Sequence, residues 1–84
     1  MQVTVRYFAS VREAVGTGAE RLETQAASAA ALRDELIARG GAWAEVLARG
    51  RAVRVAVDQV LQSDEAVPLR EGAEVAFFPP VTGG

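Results

Sequence analysis

Apolar and polar residues alternate in several short segments of this sequence, and that alternation constrains the fold more than any other feature. Near the start, Val3, Val5 and Tyr7 share one side of an extended chain, while Thr4 and Arg6 share the other. Successive side chains of a strand point to opposite faces of its sheet, so a period of two predicts half-buried strands. The segments with this property are 2–8, 20–24, 51–57, 60–62 and 73–78.

One long helix is predicted between the second and third strands. Ser28 is a suitable N-cap, the Ala-rich run that follows has high helix propensity, and Gly40 and Gly41 end it near Arg39. A second, short helical turn is predicted over 43–47, and the mixed segment 11–15 is assigned to a wide hairpin loop. The order of strands around one main helix indicates an α+β fold, with a mixed sheet curled over that helix.

Length and composition exclude several classes of protein. A chain of 84 residues forms one domain with one core. It has no Cys and no His, and all nine basic residues are Arg; disulfides, thiolate or imidazole metal sites and Ser–His or Cys–His catalysis are therefore excluded. The arginines are interspersed with acids, and no basic leader or long apolar run is present. We therefore expect a cytoplasmic protein that binds neither nucleic acid nor membrane.

Two aromatic residues break the alternation. If Val75 and Phe77 face the core, Phe78 falls on the polar side, and by the same parity Phe8 does too. If the first and last strands are neighbours, these rings form one exposed apolar patch with Leu61. Such a patch is typical of a surface that binds a partner. The alternative is that the strand ends twist and the rings lie under a loop.

The sequence closes on Gly83-Gly84 after Pro79-Pro80. A glycine carboxylate is the least hindered that a protein can present, and two prolines keep the preceding chain extended. We therefore divide the chain into a domain over 1–78 and an extended tail over 79–84 whose end suits adenylation and capture by a nucleophile. A flexible end or a cloning remnant is the alternative.

The opening Val5-Arg6-Tyr7-Phe8-Ala9-Ser10-Val11-Arg12-Glu13 and the closing Phe77-Phe78-Pro79-Pro80-Val81-Thr82-Gly83-Gly84 resemble the small subunit of molybdopterin synthase, the MoaD family. The resemblance implies a ubiquitin-like β-grasp fold, with about five strands packed on one main helix. It also implies a sulfur carrier, with no cofactor bound permanently. An ATP-consuming activating enzyme of the MoeB type would adenylate Gly84, and a sulfur donor would convert it to a thiocarboxylate. A large subunit of the MoaE type, joined in a heterotetramer, would pass the sulfur to cyclic pyranopterin monophosphate.

The resemblance assigns roles to individual positions. It places Phe8, Leu61 and Phe78 in the interface with the large subunit, and these are the residues that parity had put on the outward face. Arg12 belongs to the opening motif, where it either makes a polar contact or stays solvated. The tail residues are Pro79, Pro80, Val81, Thr82 and Gly83, and Gly84 is the reagent, since the chain offers no residue suited to catalyse either step. The alternatives are a thiamine carrier of the ThiS type, a ubiquitin-like protein modifier, and a binding module.

Overall fold

The first and last strands of the chain lie side by side at the centre of one mixed sheet. The computed structural model describes residues 1–80, and all statements about structure below refer to them. Within that range the elements are β1 (Gln2–Tyr7), α1 (Ala9–Val15), β2 (Ala19–Glu23), α2 (Ala29–Ile37), α3 (Gly41–Val46), β3 (Arg54–Val57), β4 (Val60–Gln62) and β5 (Glu74–Phe78). The strand order is β2-β1-β5-β3-β4. The predicted α+β class is confirmed.

Strand directions follow from the connections. β1 and β5 are parallel, with Tyr7 opposite Phe77, so the two strands end at the same edge of the sheet. β2 pairs with β1 as an antiparallel hairpin, and β3 runs antiparallel to both β5 and β4. The two residues Asp58 and Gln59 turn β3 into β4, both with positive φ, as a two-residue hairpin requires.

The assignment of 11–15 to a loop is wrong, because those residues belong to α1. The Phe8 carbonyl accepts hydrogen bonds from the backbone N–H groups of Val11 (3.1 Å) and Arg12 (3.2 Å), and the helix stops at Gly16, where φ is +82°. Val11 is buried in the core. A helix of seven residues makes about two turns, too few to establish a 3.6-residue period in the sequence.

The long helix begins as predicted and ends two residues early. The Ser28 hydroxyl accepts a hydrogen bond from the Ala31 N–H (3.1 Å), which confirms the N-cap. The helix gives way at Ala38, after which the N–H groups of Arg39 and Gly40 bond three residues back in a tighter turn. Its buried residues are Ala29, Leu32, Arg33 and Leu36.

The core closes around the Tyr7 ring. It stacks on Phe77, with ring centroids 6.4 Å apart and planes inclined by 19°. Its hydroxyl donates to Glu20 Oε2 (2.8 Å) and accepts from Trp43 Nε1 (3.2 Å), while the Arg39 guanidinium holds both oxygens of the Glu20 carboxylate at 2.8 and 2.9 Å. Burial, with the nearby Glu20 carboxylate, raises the pKa of the Tyr7 hydroxyl far above its ordinary value. The hydroxyl therefore stays protonated, and acts as a hydrogen-bond donor, over the pH range in which the protein is stable.

Phe77 should carry far more of the stability than Phe78, because its side chain is fully buried while that of Phe78 is only half-buried. We expect Phe77→Ala to lower the free energy of unfolding by about 3–5 kcal/mol through the cavity it leaves. The matched control, Phe78→Ala, should lower it by less than about 1.5 kcal/mol. Chemical denaturation monitored by Trp43 fluorescence measures both. Equal losses would mean that the strand register is shifted by one residue.

The carboxylate of Glu20 should make stability depend on pH. The Arg39 guanidinium is the main reason that the pKa of Glu20 lies below its ordinary value of 4.5. A lowered pKa gives a stabilisation that is present above the unfolded-state value and is lost as pH falls through the folded-state value. Glu20→Gln should therefore flatten the acid side of the stability curve, starting near pH 4.5 and continuing below it.

Removing the cation gives an independent measurement of the same pair. Arg39→Met should move the pKa of Glu20 back toward the ordinary range and flatten the same acid region. The double variant should match Glu20→Gln alone, because once the carboxylate is gone the removal of its cationic partner changes nothing further in this pH range. Denaturation midpoints measured from pH 3 to pH 7 test this, and additive effects of the two changes would contradict it.

Candidate functional site

The face of the sheet that carries Phe78 has a floor of small side chains. Strand registers align Arg6, Ala76, Ala56 and Leu61 in one row across β1, β5, β3 and β4. Paired residues present their side chains on the same face. The two alanines at the centre of this row leave a depression that larger residues border.

Phe8 reaches this face by leaving the strand. Its N–H still bonds to the Phe77 carbonyl (3.1 Å), but the next residue, Ala9, has φ of +49°, which turns the chain into α1. The Phe8 side chain is left 41% exposed, and the Arg6 guanidinium lies over its ring, 5.5 Å from the centroid. A non-glycine residue in this left-handed region is uncommon and often accompanies a functional feature.

Phe8 and Phe78 line one groove of about 490 Å³ together with the start of the tail. The other lining residues are Ala9, Ala56, Gln59, Glu74, Ala76, Pro79 and Pro80. Leu61 lies on the same face, 60% exposed, but it stands one strand beyond Ala56 and does not line the groove. We call Phe8, Phe78 and Leu61 the apolar patch.

The other predicted site residues lie elsewhere. Arg12 projects from α1 toward the turn before β2, where a Cβ added to Gly18 would lie 3.1 Å from its guanidinium carbon. It does not line the groove beside the patch. Val81, Thr82, Gly83 and Gly84 lie outside the described residues, so their predicted roles stay predictions.

A second groove was not anticipated from the sequence. It lies between α1, α3 and the segment before β3, has a volume of about 510 Å³, and includes Ser10, Glu45 and Arg51. Pro79 lines both grooves, so the chain leaves the domain between them. No sequence pattern predicts this groove, because it depends on the packing of two short helices whose periods are too brief to detect.

Residues 1–80 offer groups suited to recognition on these surfaces. In this range no group of three or more acidic, His or Cys side chains is placed to hold a metal ion. Equally, none of the helices described there is long and apolar enough to cross a bilayer. The groups that the groove and its border present are apolar rings, one guanidinium over a ring and a diproline, all of which can contact a partner.

Comparison with known proteins places the whole chain. The sequence model described as ThiS family matches residues 5–84. Among similar sequences, proteins named molybdopterin synthase sulfur carrier subunit from Haemophilus influenzae and Escherichia coli are 43% and 45% identical over 82 residues, which is 98% of this chain and 99% of each relative.

Solved structures share the fold. SAMP1 from Haloferax volcanii superposes with a TM-score of 0.79 at 22% identity, covering 100% of both chains. A chain in the complex of subunits 1 and 2 of the molybdopterin-converting factor from Helicobacter pylori superposes with a TM-score of 0.71 at 24% identity, again covering 100% of both chains. At these identities the likeness supports the ubiquitin-like β-grasp fold alone.

Proposed function

The chain belongs to the ThiS family, and from that premise we propose that it is the sulfur carrier subunit of a molybdopterin synthase. The two relatives with that name match nearly the full chain at 43% and 45% identity. The family name alone also covers the ThiS-type alternative, a carrier for thiamine synthesis. The names of these two relatives favour the molybdopterin role over it.

We propose that Gly84 carries the reactive group. In an activating enzyme of the MoeB type, a carboxylate oxygen of Gly84 attacks the α-phosphorus of ATP, and pyrophosphate leaves. A sulfur donor that supplies hydrosulfide then provides the nucleophile: its sulfur attacks the acyl carbon, AMP leaves, and loss of the proton from that sulfur gives a thiocarboxylate. The large subunit would accept this tail and pass the sulfur to cyclic pyranopterin monophosphate. Because adenylation consumes ATP, the proposed location of this chemistry is the cytoplasm.

The chain would act as a carrier that its partners operate on. It has no His, Cys or Lys among its 84 residues, so it lacks the imidazole, thiol and amine groups that often act as bases or nucleophiles near neutral pH. The bases and cations that these steps need would come from the activating enzyme and the large subunit. Catalysis is thus assigned to the partners, and delivery to this chain.

One observation supports this proposal above the others: the groove that holds Phe8 and Phe78 continues to the prolines where the chain exits. A partner that covers the apolar patch therefore lies directly against the root of the tail. From Pro80, the four residues to Gly84 reach about 13 Å when extended. That length takes the carboxylate into a partner while the domain stays outside.

Incubation with ATP, an activating enzyme and a sulfide source tests the carrier role. Intact mass should increase by the difference between sulfur and oxygen, and tandem mass spectrometry should place it on Gly84. Adding cyclic pyranopterin monophosphate with a large subunit should yield molybdopterin and regenerate the carboxylate. Thiocarboxylate formation without this last step would favour the ThiS-type carrier. Isopeptide adducts on other proteins would favour the modifier.

Gly84 should be indispensable and must be the last residue. Deleting it, or appending one glycine, moves the acyl carbon about 3.5 Å along the tail, and reactive geometry tolerates little displacement. We expect sulfur transfer to fall by at least about 100-fold in both variants. Thermal unfolding serves as the control and should hardly change.

Rescue of the extended form separates position from misfolding. When the appended residue is arginine, a carboxypeptidase specific for basic residues removes it and stops at Gly84, and activity should return in the same sample. Full activity of the extended chain before that treatment would contradict the assignment of Gly84.

The apolar patch should contribute most of the affinity for the large subunit. Interface energy concentrates in a few buried anchors, so Phe8→Ala or Phe78→Ala should each weaken binding by about 2 kcal/mol, about thirtyfold. Leu61→Ala should weaken it by a smaller factor. Calorimetry or surface plasmon resonance with the large subunit measures this.

β4 supplies a matched control for Leu61. Val60 is equally exposed, at 60%, but pairs with Val57 and therefore lies on the opposite face of the same strand. Val60→Ala should leave affinity unchanged within about twofold, since rim and non-interface positions contribute little. Equal losses of affinity for Val60→Ala and Leu61→Ala would mean that the partner binds along the edge of β4 and not on the sheet face that carries the apolar patch.

A further inference from the structure

The sheet face that carries the apolar patch has opposite charges at the two ends of its strands. Arg54 is the register partner of Phe78 across β3 and β5, so its side chain leaves the sheet on the same face, next to the residue that precedes the tail. At the other end of β5, about 13 Å away at the usual rise per residue, lie Glu74 and the exposed Asp58. The face therefore presents a cation near the tail exit and carboxylates far from it.

Among residues 1–80 these charges differ in how far they are engaged. The Arg54 side chain is exposed and makes no hydrogen bond or ion pair in that range. Asp58 accepts a hydrogen bond from the Glu74 N–H (3.0 Å), and the Glu74 carboxylate lies 3.8 Å from Arg6, itself packed over Phe8. Arg6 and the acidic end therefore partly satisfy each other, whereas no other residue of the described range 1–80 engages the Arg54 guanidinium.

Building on the proposed function, we propose that Arg54 orients the docking of the large subunit by pairing with a carboxylate on it. The aromatic anchors Phe8 and Phe78 side by side do not by themselves distinguish one docking direction from its reverse. Only one direction sends the tail into the partner. In the productive direction, a carboxylate on the large subunit lies beside Phe78 and attracts Arg54. In the reverse direction the same carboxylate would face Glu74 and Asp58, and the like charges would repel.

A protein carboxylate is the ligand that these charges favour. A nucleic-acid strand or another extended phosphate ligand that reached Arg54 would also approach the acidic end, which would repel it. The net charge of -2 on the chain as a whole adds to this repulsion. Arginine is also enriched at the centres of protein interfaces, where its planar group binds a carboxylate through two hydrogen bonds.

Association rates with the large subunit test this inference at about 0.05 M and about 1 M salt. Two unit charges about 6 Å apart in water interact strongly enough to change an equilibrium constant roughly threefold. Removing the charge in Arg54→Gln should therefore slow association by about threefold at low salt, and reversing it in Arg54→Glu should slow association by about tenfold. At about 1 M salt, charges more than about 3 Å apart are largely screened, so the association rates of the variants should converge with that of the parent. Arg54→Lys keeps the charge and should stay within about twofold.

Arg70→Glu is the matched control. Arg70 is an exposed arginine before β5, at the end of the sheet opposite Phe78, and the substitution changes net charge by the same amount. It should stay within about twofold of the parent rate, since rim charges act locally. Thermal unfolding verifies that each variant is folded, and Arg54→Gln alone suffices should Arg54→Glu fail to fold.

The outcomes separate the two proposals. Equal rates for Arg54→Glu and Arg70→Glu, with a parent that binds and transfers sulfur, would overturn the role of Arg54 and leave the carrier function intact. If the slower association of Arg54→Glu persisted undiminished at about 1 M salt, the role of Arg54 would also be overturned, because the cause would then be altered shape and not charge. A parent that does not bind the large subunit would overturn both.

Discussion

The parallel pairing of β1 with β5 is the constraint on which the rest of this molecule depends. Parallel neighbours cannot be joined by a tight turn, so the chain between them must supply a crossover. Here the crossover contains the edge strand β2, the packed helix α2 and the β3–β4 hairpin on the far side. Because parallel strands end at the same sheet edge, Tyr7 and Phe77 stack in the core, and the residues after them, Phe8 and Phe78, lie beside one groove. Antiparallel strands would have put those two rings at opposite ends of the sheet.

The small core is held in place by buried polar contacts as much as by apolar ones. The Arg33 side chain on α2 is almost fully buried and donates to the carbonyls of Leu47 (2.7 Å) and Ala48 (3.1 Å) just after α3. It also forms an ion pair with Glu65 (2.8 Å). One guanidinium thus fixes the end of α3 and the turn after β4 to the main helix. The Ala48 carbonyl also accepts a hydrogen bond from the Arg51 N–H (3.0 Å), but Arg33 is the donor that satisfies the carbonyl of the buried Leu47, and a buried acceptor left without a partner is costly in so small a domain.

The sequence was informative where local rules act and silent where distant segments meet. Parity placed Phe77 inside and Phe78 outside because the period of a strand is strictly two, and the N-cap at Ser28 followed from side-chain chemistry alone. α1 was missed because seven residues show no reliable period. Arg33 reads as a solvated charge in the sequence, since its partners lie 14 to 32 residues away. The grooves could not be predicted for the same reason: each is lined by side chains from several elements.

A carrier of this kind must also leave each partner, and the size of the domain favours release. Its described surface is 4931 Å², so a standard interface of about 800 Å² on one side would cover roughly a sixth of it. The large apolar side chains of the patch are few, and the adjoining groove is floored by alanines, so that affinity depends on a few anchors and not on a broad apolar area. Both proposed partners need the same tail, whose root at Pro79 adjoins the patch, so they cannot occupy it together. Exchange between them therefore requires dissociation, and a surface with few anchors favours fast dissociation while Arg54 guides each new encounter with the large subunit.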